Sequence, residues 1–129
     1  MFKIIIAGSS KLYEEMIKFK HELEAEGNIV LNYPIDIDEE TEYKETFETF
    51  YNDLYFGDID KFILYNLDKN NIEGYIGYES FAEMSYVIVN KLIKKQKVEI
   101  YIYQMPSKKC GCYDEIKHFL KLGYIKIYK

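Results

Sequence analysis

The segment that decides the fold begins with Phe62-Ile-Leu-Tyr-Asn-Leu67 and ends with Gly74-Tyr-Ile-Gly-Tyr-Glu-Ser-Phe-Ala-Glu83. The first run is short and apolar, which predicts a buried strand. Beyond the two glycines, residues of a helical stripe recur at positions 81, 84, 85, 88 and 92,. The segment therefore predicts a strand, a glycine-containing loop and a helix.

This predicted helix start has the features of a binding site. Glycine lets a ligand lie close to the backbone, and the first turn of a helix offers free N–H donors and the positive end of its dipole. The sequence places Ser80 and Glu83 there. On a helical wheel Glu83 lies roughly opposite the Phe81, Met84 and Ile88 stripe, so its side chain need not enter the core. Glu83 is therefore either a solvated glutamate near a helix start or a catalytic group.

The rest of the chain repeats the alternation of strand and helix. Further strands are predicted at residues 2–7, 28–33, 98–103 and 124–128, beside the central strand at 61–66. Helices are predicted after Gly8-Ser9-Ser10 as far as Gly27, from the acidic turn to Gly57, and at residues 113–122,. The acidic turn contains Asp36, Asp38, Glu39 and Glu40.

Strict alternation of strands and helices predicts a parallel sheet with right-handed crossovers and helices on both faces. We expect one α/β domain over residues 1–129, a flavodoxin-like or Rossmann-like sandwich whose five strands have the order 2-1-3-4-5. Ligands of such sheets bind beyond the carboxyl ends of the strands at the switch point, here between strands 1 and 3. Gly8, Ser9, Ser10 and Asn66 should therefore surround one cleft with the segment 74–83.

The composition of the chain limits which classes of partner and which cellular location are expected. The net charge of −5 argues against a nucleic-acid surface, and the lysines at 91–97 fall at a helix end where cations are favoured,. No apolar run is long enough to cross a membrane or to act as a signal peptide. Two cysteines in one loop suit a reducing compartment, so a cytoplasmic location is expected,. The expected partner is a small-molecule substrate.

Several familiar sites are absent from the sequence. Neither G-x-G-x-x-G nor G-x-x-x-x-G-K-[ST] follows a strand, and the first strand ends without the acidic cluster of a Mg²⁺ site,. Cys110 and Cys112 with His118 lack an evident fourth zinc ligand. We expect neither a metal nor a cofactor.

Gly8-Ser9-Ser10-Lys11 has two interpretations. A glycine, two hydroxyls and a helix start could bind an anion, with Lys11 supplying charge,. The same residues could equally be a plain serine N-cap. Because the chain has no arginine, any phosphate would be held by lysine and backbone N–H groups,.

Three features together resemble the nucleoside 2-deoxyribosyltransferase family and its nucleotide-hydrolysing relatives. They are a first strand ending in Gly8-Ser9, an acidic residue ahead of the third strand, and the G-x-x-x-x-x-E helix start from Gly77 to Glu83. The likeness spans nearly the whole chain, and its specificity lies in residues 66–86. The segments Val98-Glu-Ile-Tyr-Ile-Tyr and Tyr113-Asp-Glu-Ile add to it.

The resemblance implies roles for individual residues. Glu83 would be the nucleophile that attacks C1′ of a 2′-deoxynucleoside or its 5′-monophosphate, and Asp53 would assist the base or sugar. Gly8, Ser9 and Lys11 would hold the sugar or phosphate side. Water as acceptor would give hydrolysis, and a second base would give transfer. The resemblance also implies a homo-oligomer.

The chain departs from the family pattern at Tyr78 and Glu79, where one bacterial branch has Gly and Asn, and Gly77 stands where other members have Asp or Ser. Tyr78 is expected to wall the cleft, and Glu79 to raise the pKa of Glu83. The alternatives to an enzyme are a nucleotide-binding module without catalysis and a small interaction domain.

Overall fold

The computed structural model describes residues 1–37 and 40–129. Asp38 and Glu39 of the predicted acidic turn lie outside the described residues. The described part alternates strands and helices in the predicted order. The strands are β1 (Lys3–Ala7), β2 (Ile29–Asn32), β3 (Lys61–Leu64), β4 (Glu99–Ile102) and β5 (Lys126–Ile127). The helices are α1 (Tyr13–Ala25), α2 (Glu40–Phe56), α3 (Tyr78–Lys94) and α4 (Tyr113–Lys121).

The five strands form one parallel sheet in the order β2-β1-β3-β4-β5. This confirms the predicted α/β fold and its strand order. The observed strands are shorter than the predicted ones. For example, β3 ends at Leu64, so Tyr65 and Asn66, which were predicted to be its last residues, lie in the loop that follows. The switch point lies between β1 and β3, as expected from the alternating pattern.

Helices cover both faces of the sheet, but unequally. On one face α1 buries Met16, Phe19 and Leu23 against Ile4 and Ile6 of β1. The other face carries the larger core, to which α2, α3 and α4 contribute Leu54, Met84 and Ile116 among others. Alternate residues of a strand point to opposite faces, so β1 supplies both cores at once.

On the α1 face, aromatic rings cover sheet surface that no described helix covers. Tyr65 stacks on Phe19 with ring centroids 4.2 Å apart, and Tyr101, Tyr103 and Tyr128 continue the cluster. A tyrosine ring can cover apolar surface while its hydroxyl meets water. None of the helices in the described ranges has the length and apolarity needed to cross a membrane.

Candidate functional site

A cleft of about 440 Å³ opens at the carboxyl edge of the sheet, beyond β1, β2 and β3. Its volume falls in the range of small-molecule sites. Its lining residues are Gly8, Ser9, Ser10, Lys11, Tyr33, Pro34, Ile35, Ile37, Tyr43, Thr46, Phe47, Phe50, Lys69, Tyr75, Gly77, Tyr78, Glu79, Ser80 and Glu83. The structure thus brings together most of the residues that the sequence predicted around one cleft.

The loop after β1 forms one side of the cleft. Gly8 has a φ of +153°, and a side chain there would meet Met16 and approach the Tyr65 carbonyl oxygen to 3.0 Å. Glycine is therefore required by the turn itself. Ser9 is an N-cap, since its Oγ accepts a 3.3 Å hydrogen bond from the Lys11 N–H. The cap interpretation is thus correct for Ser9, but the capped element is only the short 3₁₀ helix Ser10–Leu12.

The opposite wall is aromatic and comes from α2. Tyr43, Phe47 and Tyr51 recur every four residues, with ring centroids 6.0 Å and 4.8 Å apart. Tyr43 and Phe47 line the cleft and remain 45% and 40% exposed, so they face the opening. From the sequence alone, these residues were expected only to form the apolar stripe of a helix. The repeated aromatic residues were the one feature of the sequence that could have indicated a binding wall, since flat rings suit the stacking of a planar ligand.

Glu83 lies at the base of the cleft and is buried, with only 8% of its surface exposed. Of the two interpretations from the sequence, the solvated glutamate is therefore wrong. α3 begins at Tyr78, so Glu83 sits in the second turn, where α2 packs beside it. Tyr51 of α2 lies close enough to Glu83 for an electrostatic interaction, and a wheel drawn for α3 alone does not include this neighbouring helix. The preference of glutamate for first turns therefore does not account for Glu83.

The electrostatics of Glu83 follow from this position. Burial, and then the charge of Glu79 one turn earlier, raise the pKa of Glu83 to about 8. Desolvation disfavours the charged carboxylate, and a nearby like charge adds to the effect. The two carboxyls also raise the pKa of Tyr43, and they contribute to a pKa of about 12 at Tyr51, where burial is the larger cause. Glu83 is thus largely protonated at neutral pH.

Two lysines line the cleft beside the loop after β1. Lys11 forms a 3.1 Å ion pair with Asp36, and both side chains are exposed. Lys69 donates a 2.8 Å hydrogen bond to Ser9 Oγ and lies 5.5 Å from the centroid of the Tyr75 ring. Lys69 and Tyr75 lie within the segment 66–86, but nothing in the sequence pattern assigned either of them to the site. The loop that carries them was predicted, but its path across the cleft is a tertiary feature.

Asn66 is a structural residue, and its expected role in substrate binding is wrong. Its Nδ2 donates to the carbonyl oxygens of Gly74 and Gln104, at 2.9 and 2.8 Å. Its Oδ1 accepts from the backbone N–H groups of Tyr103 and Gln104, at 2.9 and 3.2 Å. An amide has two donors and room for two acceptor bonds, so nothing remains for a ligand. Asn66 instead ties together the loops that follow β3 and β4.

Asp53 lies in α2 away from the lining of the cleft, contrary to its expected catalytic role. Its Oδ2 accepts a 2.8 Å hydrogen bond from Asn32 Nδ2 at the end of β2. The residues of α2 that line the cleft fall between Tyr43 and Phe50, and Asp53 lies about one turn beyond them along the helix. Asp53 joins α2 to the sheet.

The start of α3 completes the cleft. Gly77 is its N-cap, and Ser80 is buried one turn ahead of Glu83. Tyr78, the first residue of the helix, is among the residues that line the cleft, and with 95% of its surface exposed it lies at the open rim.

No group of three or more His, Cys, Asp or Glu side chains within residues 1–37 and 40–129 is arranged to hold a metal ion. Cys110 and Cys112 are free thiols whose Sγ atoms lie 3.7 Å apart. Cys110 is also 3.7 Å from the carbonyl oxygen of Ile76, so this pair packs behind the loop that leads into α3.

No protein-family model, curated protein or solved structure matches the chain. The resemblance to the nucleoside 2-deoxyribosyltransferase family therefore stays a prediction from the sequence.

Proposed function

We propose that the protein cleaves or transfers at the N-glycosidic bond of a 2′-deoxynucleoside or its 5′-monophosphate, with Glu83 as the nucleophile. The observation that carries this proposal is the buried Glu83 carboxyl at the base of a cleft that has an aromatic wall on one side and a serine–lysine loop on the other. A flat base could stack on Tyr43 and Phe47, and the sugar would then lie against Glu83.

The chemistry needs an ionised Glu83. Its carboxylate oxygen forms a bond to C1′ while the C1′–N bond breaks, and the electron pair of that bond leaves with the base. The base takes a proton from solvent or from an acid in the cleft. Water then attacks C1′ and releases Glu83, or a second base does so and completes a transfer.

Glu79 is the candidate for the acid or base of these steps. Asp53, which the resemblance implied, is bound to Asn32 outside the cleft, whereas Glu79 lines the cleft one helical turn from Glu83. Glycosidases that retain configuration divide the work between two carboxyls in this way. On this assignment Glu79, which departs from the family pattern, takes the role that the resemblance implied for Asp53.

A binding module without catalysis is the second candidate, and one observation favours it. A Glu83 with a pKa of about 8 is mostly neutral at pH 7 and could donate a hydrogen bond to a base or sugar hydroxyl,. A protein that only binds its ligand would not need the ionised form. The two candidates differ in one outcome, the release of free base.

We also propose a homo-oligomer, supported by the outward face of α3. Tyr78, Val89, Leu92 and Ile93 are exposed there at 95%, 51%, 46% and 73%. An apolar helix face of this kind suits contact with another protein surface.

The experiment that tests the proposed function is an assay for free base. The protein is incubated with the common 2′-deoxynucleosides and with their 5′-monophosphates, and the products are separated by chromatography. Release of base from any of them supports the enzyme. Saturable binding without release at any pH from 6 to 9 supports the binding module.

A further inference from the structure

Lys69 is presented to the cleft by a tight hairpin turn. The backbone N–H and C=O groups of Lys69 and Ile72 bond to each other at 3.1 and 2.9 Å. Between them Asn70 and Asn71 have φ values of 54° and 60°. Asparagine tolerates this left-handed conformation, and two such residues in succession are typical of a two-residue type I′ hairpin turn. The turn therefore fixes the backbone from which the Lys69 side chain extends.

The base of the same hairpin is anchored to the rest of the fold. Asp68 Oδ1 accepts hydrogen bonds from the Gly74 N–H at 2.9 Å and from Gln104 Nε2 at 3.1 Å. The Asp68 carboxylate is thus used by the loop itself and forms no ion pair with the neighbouring Lys69 among the described residues.

The two cleft lysines differ in how much charge they can offer. The charge of Lys11 is offset by Asp36 at 3.1 Å. Lys69, in contrast, has only the Ser9 hydroxyl and the face of Tyr75 as partners within the described ranges. The half-buried Lys69 is the stronger candidate to bind an anion, because its ammonium need not first leave a carboxylate,.

The positive and negative charges of the cleft come from different elements of the fold. Lys69 and Lys11 lie beside the loop after β1, and Glu79 and Glu83 lie on α3. Burial and Glu79 account for the raised pKa of Glu83, and neither lysine counters them. A ligand that fits this pattern carries a negative group that binds the lysines and a reacting carbon that lies against Glu83.

We infer that Lys69 selects for a phosphate monoester, so that the cleft prefers a nucleoside 5′-monophosphate over the uncharged nucleoside. Its ammonium and the Ser9 hydroxyl bind the phosphate, with backbone N–H groups of the glycine loop beside them. The inference rests on the proposed function for the nature of the ligand, but it concerns binding and not the chemical step. Lys11, which was expected from the sequence to have this role, contributes less to phosphate binding because it is paired with Asp36.

The test is a set of binding titrations by calorimetry at pH 7.5. The probes are inorganic phosphate, the common 2′-deoxynucleoside 5′-monophosphates and the matching nucleosides. Lys69→Met removes the charge and keeps the length of the side chain, Lys69→Arg restores the charge, and Lys108→Met is the control, since Lys108 is exposed outside the cleft.

For Lys69→Met the affinity for a monophosphate should fall about 10- to 100-fold, while affinity for the nucleoside changes less than twofold. Lys69→Arg should recover most of the loss, Lys108→Met should bind as the wild type does, and added salt should weaken only the binding of the monophosphate and of phosphate.

Three results would overturn the inference: equal wild-type affinity for both ligand forms, unchanged monophosphate binding in Lys69→Met, or an equal loss for both forms, which would make Lys69 a support for the loop. The fate of the proposed function is separate. Lys69-dependent binding without base release would support the inference and contradict the proposed enzymatic function. Base release without any preference for the monophosphate would support the enzymatic function and contradict the inference.

Discussion

Glu79 and Glu83 lie one helical turn apart at the start of α3, and the charge of Glu79 adds to burial in raising the pKa of Glu83 to about 8. Burial is the larger of the two causes. Two carboxyls on adjacent turns repel each other when both are ionised, and a surface helix gains nothing from the arrangement. The pair therefore has measurable consequences for stability and for rate.

Stability should fall as pH rises through the titration of Glu83. The folded carboxyl has a pKa of about 8, against an ordinary value of 4.5 in the unfolded chain. The folded state thus keeps a proton that the unfolded state loses between pH 4.5 and 8, and this contribution to stability disappears across that window. Glu83→Gln cannot ionise, so it should equal the wild type at pH 4.5 and exceed it by on the order of 3 kcal/mol at pH 9. Urea unfolding at both pH values measures the difference, and parallel pH profiles would contradict the buried position.

The rate of base release should rise with pH and level off above about pH 8, because the nucleophile is the ionised Glu83,. Glu79→Gln removes the like charge but leaves the burial. Its profile should shift toward acid by a fraction of the total shift, and its plateau should be lower because Glu79 is the proposed acid or base,. The same shift with an unchanged plateau, and so a higher rate at pH 7, would remove Glu79 from proton transfer. Profiles that superimpose would mean that the charge of Glu79 does not reach Glu83.

The two glycines of the loop before α3 should respond differently to alanine. Gly74 has a φ of +61°, and a Cβ there would lie 2.9 Å from Pro106 Cα, so Gly74→Ala should lose about 1–3 kcal/mol of stability,. At Gly77 the nearest atom to a Cβ is 3.5 Å away in the Tyr75 ring, and only a cap preference of about 1 kcal/mol or less is lost,. Because Gly77 lines the cleft, Gly77→Ala should weaken ligand binding in a stable protein.

Thermal unfolding and titration with a nucleoside monophosphate measure both effects. A Gly77→Ala protein that binds as the wild type does would show that no ligand approaches this backbone.

The fold was largely predictable because its signals are local. The unbroken apolar run at Ile4 to Ala7, the glycines that end the helices, and the alternation of elements each follow from the chain itself,. Strand order then followed from general rules for parallel sheets. The lining residues Gly8, Ser9 and Ser80 were found for the same reason, since each adjoins the end of a strand or the start of a helix.

The properties of the site that depend on packing between elements were not predictable. Glu83 is buried in the folded chain with Tyr51 of α2 nearby, and the side chain of Asn66 is fully hydrogen-bonded by loops that meet only in the folded chain. Lys69 reaches Ser9 across sixty residues of sequence. Tyr43 and Phe47 had the spacing of a core stripe, and only the structure shows that they face the cleft.

The central claim, that Glu83 carries the chemistry, is tested most directly by base release at pH 8.5 from the panel of 2′-deoxynucleosides and their 5′-monophosphates. Glu83→Gln is compared with the wild type and with Glu115→Gln, which changes a first-turn glutamate of α4 outside the cleft. We expect release by the wild type and by Glu115→Gln, and a fall of at least about 1,000-fold in Glu83→Gln with the fold retained. Wild-type turnover in Glu83→Gln, or no release by the wild type from any compound of the panel, would contradict the account.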